Sequence, residues 1–291
     1  MFKPQGIIVP IATAMHDDES VNGKELRAQV NRQISGGIDG IFTLGTNGEC
    51  YALTTEEKLE IIRIVVEETG KRVPVYVGTG CISTRETIFL SRKAKELGAD
   101  ALSIVSPYFV AVSQEDIYRH YSAIAEAVDL PIVLYNMPAR TGNNIEYTTL
   151  RRLAKYPNIV GIKDSSGNFD NTIRYIEDTD RRLSVLAGND SLILWTLMAG
   201  GCGAIAGTAN VYPEISLEIH RLWKAGKIAE ALLEQAKLRP LRDVMKLGNP
   251  NSVIKRAMNL LGHPVGPARE PVGGDSQKID DELRKAFEFY K

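Results

Sequence analysis

The chain has 291 residues, of which 44% are hydrophobic and 24% are charged, and its formal net charge is −1. This length suits one large α/β domain or two ordinary ones, and the near-neutral balance excludes a polybasic surface for nucleic acid or membrane. The start of the chain has no apolar core of signal-peptide length, and no apolar run reaches the roughly 20 residues of a membrane span. Three cysteines lie far apart without a CxxC pair, so we expect reduced thiols in a cytoplasmic protein.

Short apolar runs alternate with longer amphipathic stretches along the first 226 residues. The apolar runs predict eight strands: Gly6–Ala12, Gly40–Leu44, Val73–Val77, Ala101–Val105, Ile132–Tyr135, Ile159–Ile162, Leu183–Ala187 and Ala204–Ala206. The stretches that follow them predict eight helices: Gly23–Ser35, Thr55–Glu68, Thr84–Leu97, Gln114–Ala127, Tyr147–Lys155, Asn171–Asp178, Ser191–Met198 and Pro213–Ala225. Strands that are apolar on both faces are typical of a parallel sheet covered by helices, and eight such units predict an α/β fold, a (β/α)8 TIM barrel.

The strand signals stop after residue 226. Three further stretches predict helices at Ile228–Met245, Ser252–Leu261 and Asp280–Phe289, with a loop rich in glycine and proline at Gly262–Gly274. We therefore expect two regions, a barrel over 1–226 that carries the active site and a C-terminal helical region over 227–291. The second region is expected to pack against the barrel or against a partner subunit.

Lys163 stands directly after the apolar run of the sixth predicted strand. Most lysines at strand ends reach to water, and that is the simplest interpretation of this one. A lysine held inside a barrel is different, because burial disfavours the charged form of an amine and favours the nucleophilic form that Schiff-base enzymes use. The other strand ends decide between these two interpretations.

In barrels of this kind, catalytic groups lie at the carboxyl ends of the strands. Polar or glycine-rich segments follow the second strand at Gly45–Glu49, the fifth at Tyr135–Gly142 and the eighth at Ile205–Asn210. Lys163 follows the sixth. These segments therefore meet at one mouth of the predicted barrel, around the lysine.

Three side chains of these segments could assist an amine. A tyrosine hydroxyl linked to a threonine hydroxyl, as Tyr135 and Thr46 would be, can carry protons to and from an imine. The guanidinium of Arg140 could grip a carboxylate. Each residue also has an ordinary interpretation, namely a strand-end aromatic, a turn residue and a surface charge, but their convergence at one mouth favours a catalytic site.

Three motifs in this order resemble those of the dihydrodipicolinate synthase / N-acetylneuraminate lyase superfamily. They are GTxGE at Gly45–Glu49, YNxPxRTG at Tyr135–Gly142 and GIKD at Gly161–Asp164, and the resemblance extends over nearly the whole chain. It implies a class I aldolase that uses pyruvate. It also implies a homotetramer built as a dimer of dimers.

The resemblance also implies a role for each residue at the mouth. Lys163 would form the imine with pyruvate, which then loses a methyl proton and attacks an aldehyde as an enamine. Tyr135 would shuttle protons and Thr46 would relay them. Because the imine itself accepts the electrons, no metal or nucleotide cofactor is expected.

Four residues are implied in substrate binding by the same resemblance. The side chain of Asn47 and backbone N–H groups near Gly45 would hold the carboxylate of pyruvate, and the backbone at Ile205 would line its site. Arg140 would hold an acid group of the aldehyde. The expected partners are therefore small molecules, pyruvate and an aldehyde, and neither nucleic acid nor membrane.

The sequence departs from the pattern of the synthases at three positions. Asn47 stands where they usually have threonine, and Phe109 stands where a tyrosine from a neighbouring subunit usually ends the proton relay. Ile82 replaces an asparagine that is typical of lysine-sensitive members, although Glu86 and Tyr108 match that site. Arg140 favours an aldehyde with a carboxylate, such as aspartate semialdehyde, over the alternative of a 2-keto-3-deoxy sugar acid or 4-hydroxy-2-oxoglutarate aldolase.

Three other classes of protein fit the sequence less well. A metal-dependent aldolase needs clustered ligands, whereas the four histidines are scattered along the sequence. A barrel that binds a keto acid without turning it over would account for Phe109. A phosphate-binding barrel is disfavoured, because the glycine-rich segment Gly200–Gly203 precedes the eighth strand and so lies at the opposite end.

Overall fold

A computed structural model describes residues 2–272 and 277–291. Within these residues, eight parallel strands form a closed barrel in the order β1 to β8, with β8 paired to β1. The strands are β1 (Gly6–Pro10), β2 (Gly40–Thr43), β3 (Val75–Gly78), β4 (Ala101–Val105), β5 (Ile132–Asn136), β6 (Ile159–Asp164), β7 (Ser184–Ala187) and β8 (Gly203–Ile205). The predicted (β/α)8 barrel with a C-terminal helical extension is confirmed.

Helices connect the strands and continue beyond them. The barrel helices are α1 (Gly23–Ser35), α2 (Thr55–Thr69), α3 (Thr84–Glu96), α4 (Gln114–Ala127), α5 (Pro138–Thr141), α6 (Tyr147–Leu153), α7 (Phe169–Asp178), α8 (Ile193–Ala199) and α9 (Pro213–Lys224). The C-terminal helices are α10 (Ile228–Ala236), α11 (Arg239–Val244), α12 (Pro250–Leu260) and α13 (Gln277–Glu288). None of these helices in the described chain combines the length and the apolar character of a transmembrane segment.

The apolar layer of the barrel interior consists of one side chain from each strand. These eight buried residues are Ile8, Phe42, Tyr76, Ala101, Val133, Val160, Leu186 and Ile205. A larger apolar cluster lies between the outer face of the strands and the surrounding helices. Because both faces are covered, most strand residues are apolar, and this is the reason for the hydrophobic runs in the sequence.

A bulge in β6 determines which way Lys163 points. The register between β5 and β6 shifts at Val160, which has no partner on β5. Val160 belongs to the interior cluster, yet Ile162 packs outward against the helices. The extra residue therefore reverses the alternation and turns Lys163 into the barrel. Gly161 permits this geometry, because a Cβ there would lie 2.5 Å from the carbonyl oxygen of Ser184.

Several element boundaries differ from the sequence predictions. β6 continues to Asp164, so Lys163 lies inside the strand, and the predicted helix Ile228–Met245 is broken into α10 and α11. The break lies where Pro240 removes a backbone donor at the start of α11. The predicted loop Gly262–Gly274 contains no helix or strand as far as residue 272, and residues 273 and 274 lie outside the described part. The division at residue 226 stays a prediction.

Candidate active site

A cavity of about 440 Å³ opens at the carboxyl ends of the strands. Its wall contains six of the seven residues that the sequence nominated: Thr46, Asn47, Tyr135, Arg140, Lys163 and Ile205. The seventh, Gly45, is not in the wall. A Cβ at Gly45 would lie 2.7 Å from the Phe42 ring, so this position needs glycine for close packing.

Lys163 is buried beside two aromatic rings. Its side chain is 5% exposed, and its Nζ lies 4.0 Å from the centre of the Tyr135 ring and 5.4 Å from that of Phe42. Within residues 2–272 and 277–291, no carboxylate forms an ion pair with this amine. The amine is therefore held by packing against the rings and remains accessible from the cavity.

Two hydroxyl groups lie next to each other in the same cavity. The Tyr135 hydroxyl is 3.3 Å from Thr46 Oγ1, and either group could donate. The Tyr135 hydroxyl also donates to Met137 Sδ at 2.8 Å, and Thr46 Oγ1 lies 3.7 Å from the same sulfur. This arrangement provides the short hydroxyl chain that the sequence predicted.

The remaining predicted residues surround this centre. Arg140 lies on α5, is exposed, and forms no ion pair with any described residue. Ile205 is 1% exposed at the end of β8. Asn47 lies against Gly207, because a Cβ added there would be 3.1 Å from Asn47 Nδ2. The cavity wall thus contains the guanidinium of Arg140, the residue Ile205 and the amide of Asn47 in addition to the lysine.

Comparison with known proteins decides the family. The chain matches the model of the dihydrodipicolinate synthetase family over residues 3–289. It is 38% identical to the 4-hydroxy-tetrahydrodipicolinate synthase of Methanopyrus kandleri over 286 residues, covering 98% of this chain and 95% of that one. It is also 38% identical over 291 residues to the enzyme of that name in Geotalea daltonii, covering 100% and 99%.

The chain belongs to the dihydrodipicolinate synthetase family.

The fold is similar to solved structures of this family. One is the chloride-inhibited dihydrodipicolinate synthase of Acinetobacter baumannii complexed with pyruvate, with a TM-score of 0.95 and 36% identity over 98% of each chain. Another is the dihydrodipicolinate synthase from Bacillus anthracis, with a TM-score of 0.96 and 32% identity over 99% of each chain.

A hydrogen-bond network that sequence reasoning missed fixes the ends of β5 and β6. The carboxylate of Asp164 is 4% exposed and accepts from Asn136 Nδ2 at 3.1 Å, Thr172 Oγ1 at 2.7 Å and Ser166 N at 3.0 Å. Asn136 accepts in turn from Ile145 N at 2.9 Å. Since these residues follow Tyr135 and Lys163 directly, the network holds both side chains in place.

Gly188 and Ser165 form the wall next to the lysine, and the sequence analysis did not single them out. A Cβ at Gly188 would lie 2.1 Å from Ser165 Oγ and 3.0 Å from Lys163 Cε. The Ser165 hydroxyl is buried and has no hydrogen-bond partner among the described residues. Both residues lie just past a strand end, which is the signal that could have found them.

The loop that carries Thr46 is tied to the C-terminal region by a buried ion pair. Glu49 and Lys255 are 0% and 1% exposed, with 2.6 Å between Oε1 and Nζ. Lys255 also donates to the carbonyl of Pro267 at 2.7 Å, and Glu49 Oε2 accepts from Arg269 N at 2.7 Å. Burial lowers the pKa of Lys255, and Glu49 opposes that change. This pair joins the Thr46 loop to α12.

Phe109 lies outside the cavity. Its side chain is 91% exposed, and its backbone has a φ of 74°, which is unusual for a bulky residue. Within one chain, therefore, the hydroxyl chain ends at Thr46 in the described residues. The same residues contain no group of three histidine, cysteine, aspartate or glutamate side chains arranged for a metal ion.

Proposed function

We propose that this chain is a Schiff-base lyase that condenses pyruvate with aspartate semialdehyde, as a 4-hydroxy-tetrahydrodipicolinate synthase does. The observation that carries the proposal is the buried amine of Lys163, which has no ion-pair partner in the described chain and lies beside the Tyr135 ring. The names of the relatives, at 38% identity over 98% of this chain for one of them, support the same activity.

The chemistry begins at Lys163. Its amine attacks the keto carbon of pyruvate, and loss of water gives the imine. The imine draws electrons from the neighbouring methyl group, so that loss of a methyl proton gives an enamine. The enamine carbon then attacks the aldehyde carbon, and the aldehyde oxygen takes up a proton. Because the imine accepts the electron pair, the reaction needs neither a metal nor a nucleotide.

Tyr135 and Thr46 transfer the protons of this reaction. Imine formation requires a proton for the departing water, and enamine formation releases one from the methyl group. The 3.3 Å contact between the two hydroxyls supports a relay from the substrate towards Thr46.

Different residues bind the two substrates. Asn47 and the backbone near Gly45 hold the carboxylate of pyruvate, and the backbone at Ile205 lines its site. Arg140 holds the acid group of the aldehyde, which its lack of an ion-pair partner in the described residues supports. The A. baumannii relative, whose structure is a complex with pyruvate, supports pyruvate as the first substrate.

The family resemblance supports the assembly, and the exposed side chain of Phe109 is compatible with it. The enzyme works as a cytoplasmic homotetramer, a dimer of dimers, in which this exposed side chain reaches a neighbouring subunit. It brings no hydroxyl there, so protons pass from Thr46 to water. The barrel over 1–226 carries the chemistry and the helical region over 227–291 closes the mouth.

A second candidate is a 2-keto-3-deoxy sugar acid or 4-hydroxy-2-oxoglutarate type aldolase. Ser165 favours it, because its enclosed hydroxyl has no partner among the described residues and could bind a substrate hydroxyl. A barrel that binds a keto acid without turnover is the non-enzymatic alternative.

A coupled assay separates these candidates. Purified protein is given pyruvate with aspartate semialdehyde, glyceraldehyde or glyoxylate, with Lys163→Ala as the inactive control. We expect the highest kcat/KM for aspartate semialdehyde. If aspartate semialdehyde is clearly the worst substrate, the synthase proposal is rejected in favour of the aldolase. If none of the three aldehydes is turned over, the chain is a keto-acid-binding protein without this activity.

A further inference from the structure

The cavity has a second unpaired guanidinium, which belongs to Arg242. This residue lies on α11 in the C-terminal helical region and lines the same cavity as Lys163. Its side chain is half-buried, and its Nε is enclosed without a hydrogen-bond partner in the described chain. Burying a charged group without a partner is costly, so an unpaired arginine in a cavity indicates a ligand that completes its bonds.

The amphipathic pattern of α11 directs Arg242 towards the cavity. Leu241 and Val244 are 1% and 6% exposed and pack into the core. Arg242 and Met245, one residue further along the chain in each case, line the cavity. The cavity face and the core face of this short segment are therefore distinct, and the position of Arg242 follows from the packing of its neighbours.

Among the residues that the structure describes, no acid in the cavity wall is available to neutralise Arg242. The carboxylate of Asp190 is the only one lining the cavity in the described residues, and it is 2% exposed and accepts from Gly207 N at 3.2 Å and Thr208 N at 2.8 Å. Asp243 lies next along the chain, but Lys246, which pairs with it at 2.7 Å, is the main cause that lowers its pKa, and Arg242 contributes the smallest share. The cavity thus has an excess of positive charge that faces its interior.

We propose that Arg242 binds the acid group of the aldehyde in addition to Arg140, which lines the same cavity, and that it makes the site selective for aldehydes that carry an anionic group. This rests on the proposed function, because the aldehyde enters only after the imine has formed at Lys163. A guanidinium donates two parallel hydrogen bonds to a carboxylate, which a neutral aldehyde cannot accept with the same strength. Arg242 is thereby a specificity-determining residue supplied by the helical region.

The test is the Arg242→Gln variant, assayed with aspartate semialdehyde and with neutral glyceraldehyde. A charge-assisted hydrogen bond is worth enough that its loss raises KM for aspartate semialdehyde about 10- to 100-fold. We expect KM for glyceraldehyde to change by less than about 2-fold, because this neutral aldehyde has no acid group for Arg242 to bind. The matched control is Arg239→Gln, the same change on the same helix at a residue outside the cavity wall.

Trapping with pyruvate and borohydride separates this inference from the proposed function. An adduct at Lys163 in the Arg242→Gln variant shows that the first half-reaction is intact. With that adduct present, an equal loss for both aldehydes, or no loss for either, would overturn the role of Arg242. Absence of the adduct in the unaltered protein would instead overturn the proposed function.

Arg242→Lys keeps the proposal testable should the glutamine variant fail to fold. Lysine keeps the charge but lacks the planar pair of donors. We expect Arg242→Lys to raise KM for aspartate semialdehyde at least about 3-fold, but by less than Arg242→Gln does. The KM for glyceraldehyde should stay unchanged. Unchanged discrimination between the two aldehydes would count against the proposal.

Discussion

Removal of Lys255 from its buried ion pair with Glu49 is expected to destabilise the protein strongly. In Lys255→Met the apolar part of the side chain is replaced at similar volume, but the carboxylate of Glu49 stays enclosed, since both residues are at most 1% exposed. The bond from Arg269 N to Glu49 remains, so part of the charge is still compensated. What is lost is the partner cation at 2.6 Å and its hydrogen bond to the carbonyl of Pro267 at 2.7 Å.

The expected loss of stability in Lys255→Met follows from the burial of the ion pair. Breaking a buried pair by removing one partner costs about 3–5 kcal/mol, because an uncompensated charge is left inside. For a domain of this size each kcal/mol shifts the melting temperature by roughly 2–4 °C, so we expect a loss of roughly 6–20 °C. Replacing both partners, as in Glu49→Gln with Lys255→Met, is expected to recover most of that loss, because no charge then remains unpaired.

Thermal and urea unfolding of the variants measures these changes. The control is Lys246→Met, the same substitution at an ion pair of 2.7 Å whose side chains are 65% and 53% exposed. Such a surface pair contributes about 0–1 kcal/mol. The reasoning would be refuted by a loss at Lys255 no larger than that at Lys246, or by a double variant less stable than Lys255→Met alone.

Three further predictions concern the site and its surroundings. Tyr135→Phe is expected to slow adduct formation with pyruvate by at least about 100-fold, measured by mass spectrometry against time, and an unchanged rate would remove Tyr135 from proton transfer. Gly188→Ala is expected to prevent the adduct, because the new Cβ would lie 3.0 Å from Lys163 Cε, whereas Gly226→Ala, where the Cβ meets no neighbour and only the φ of 73° causes strain, is expected to leave it intact. Burial lowers the pKa of His120 from 6.5 to about 4. The unfolded chain therefore binds the proton more readily, and about 3 kcal/mol of stability, present above pH 6.5, should be lost as the pH falls to 4. Urea unfolding at a series of pH values measures this loss, and His120→Gln should make the free energy of unfolding less dependent on pH between 4 and 6.5. The same pH dependence in the variant would contradict the role of His120.

The sequence predicted the barrel because its physical cause acts locally. Strands covered on both faces must be apolar throughout, so each strand is visible as a short hydrophobic run. Where a boundary was wrong, the cause was a single residue, as at Pro240, whose missing donor divides the predicted helix Ile228–Met245. Strand ends were enough to bring six of the seven nominated residues into one cavity.

Other features depend on contacts between distant residues, which the order of amino acids does not display. The bulge at Val160 decides that Lys163 points inward. The run Ile-Val-Gly-Ile does not alternate between polar and apolar residues, so the sequence does not show which of its side chains face the barrel interior. Arg242 is one of several charged residues in a helical stretch, and only the packing of α11 brings it to the cavity. The partner of Glu49 is 206 positions away in sequence, so it could not be paired with Lys255 beforehand.

The central claim, that Lys163 forms an imine with pyruvate, is tested most directly by reductive trapping. The unaltered protein is incubated with pyruvate and borohydride, digested and examined by mass spectrometry, with Lys163→Ala treated in parallel. We predict one irreversible adduct, equal to one reduced pyruvate, on the peptide that contains Lys163 and none in the variant. No adduct in the unaltered protein, or the same adduct in Lys163→Ala, would contradict the account.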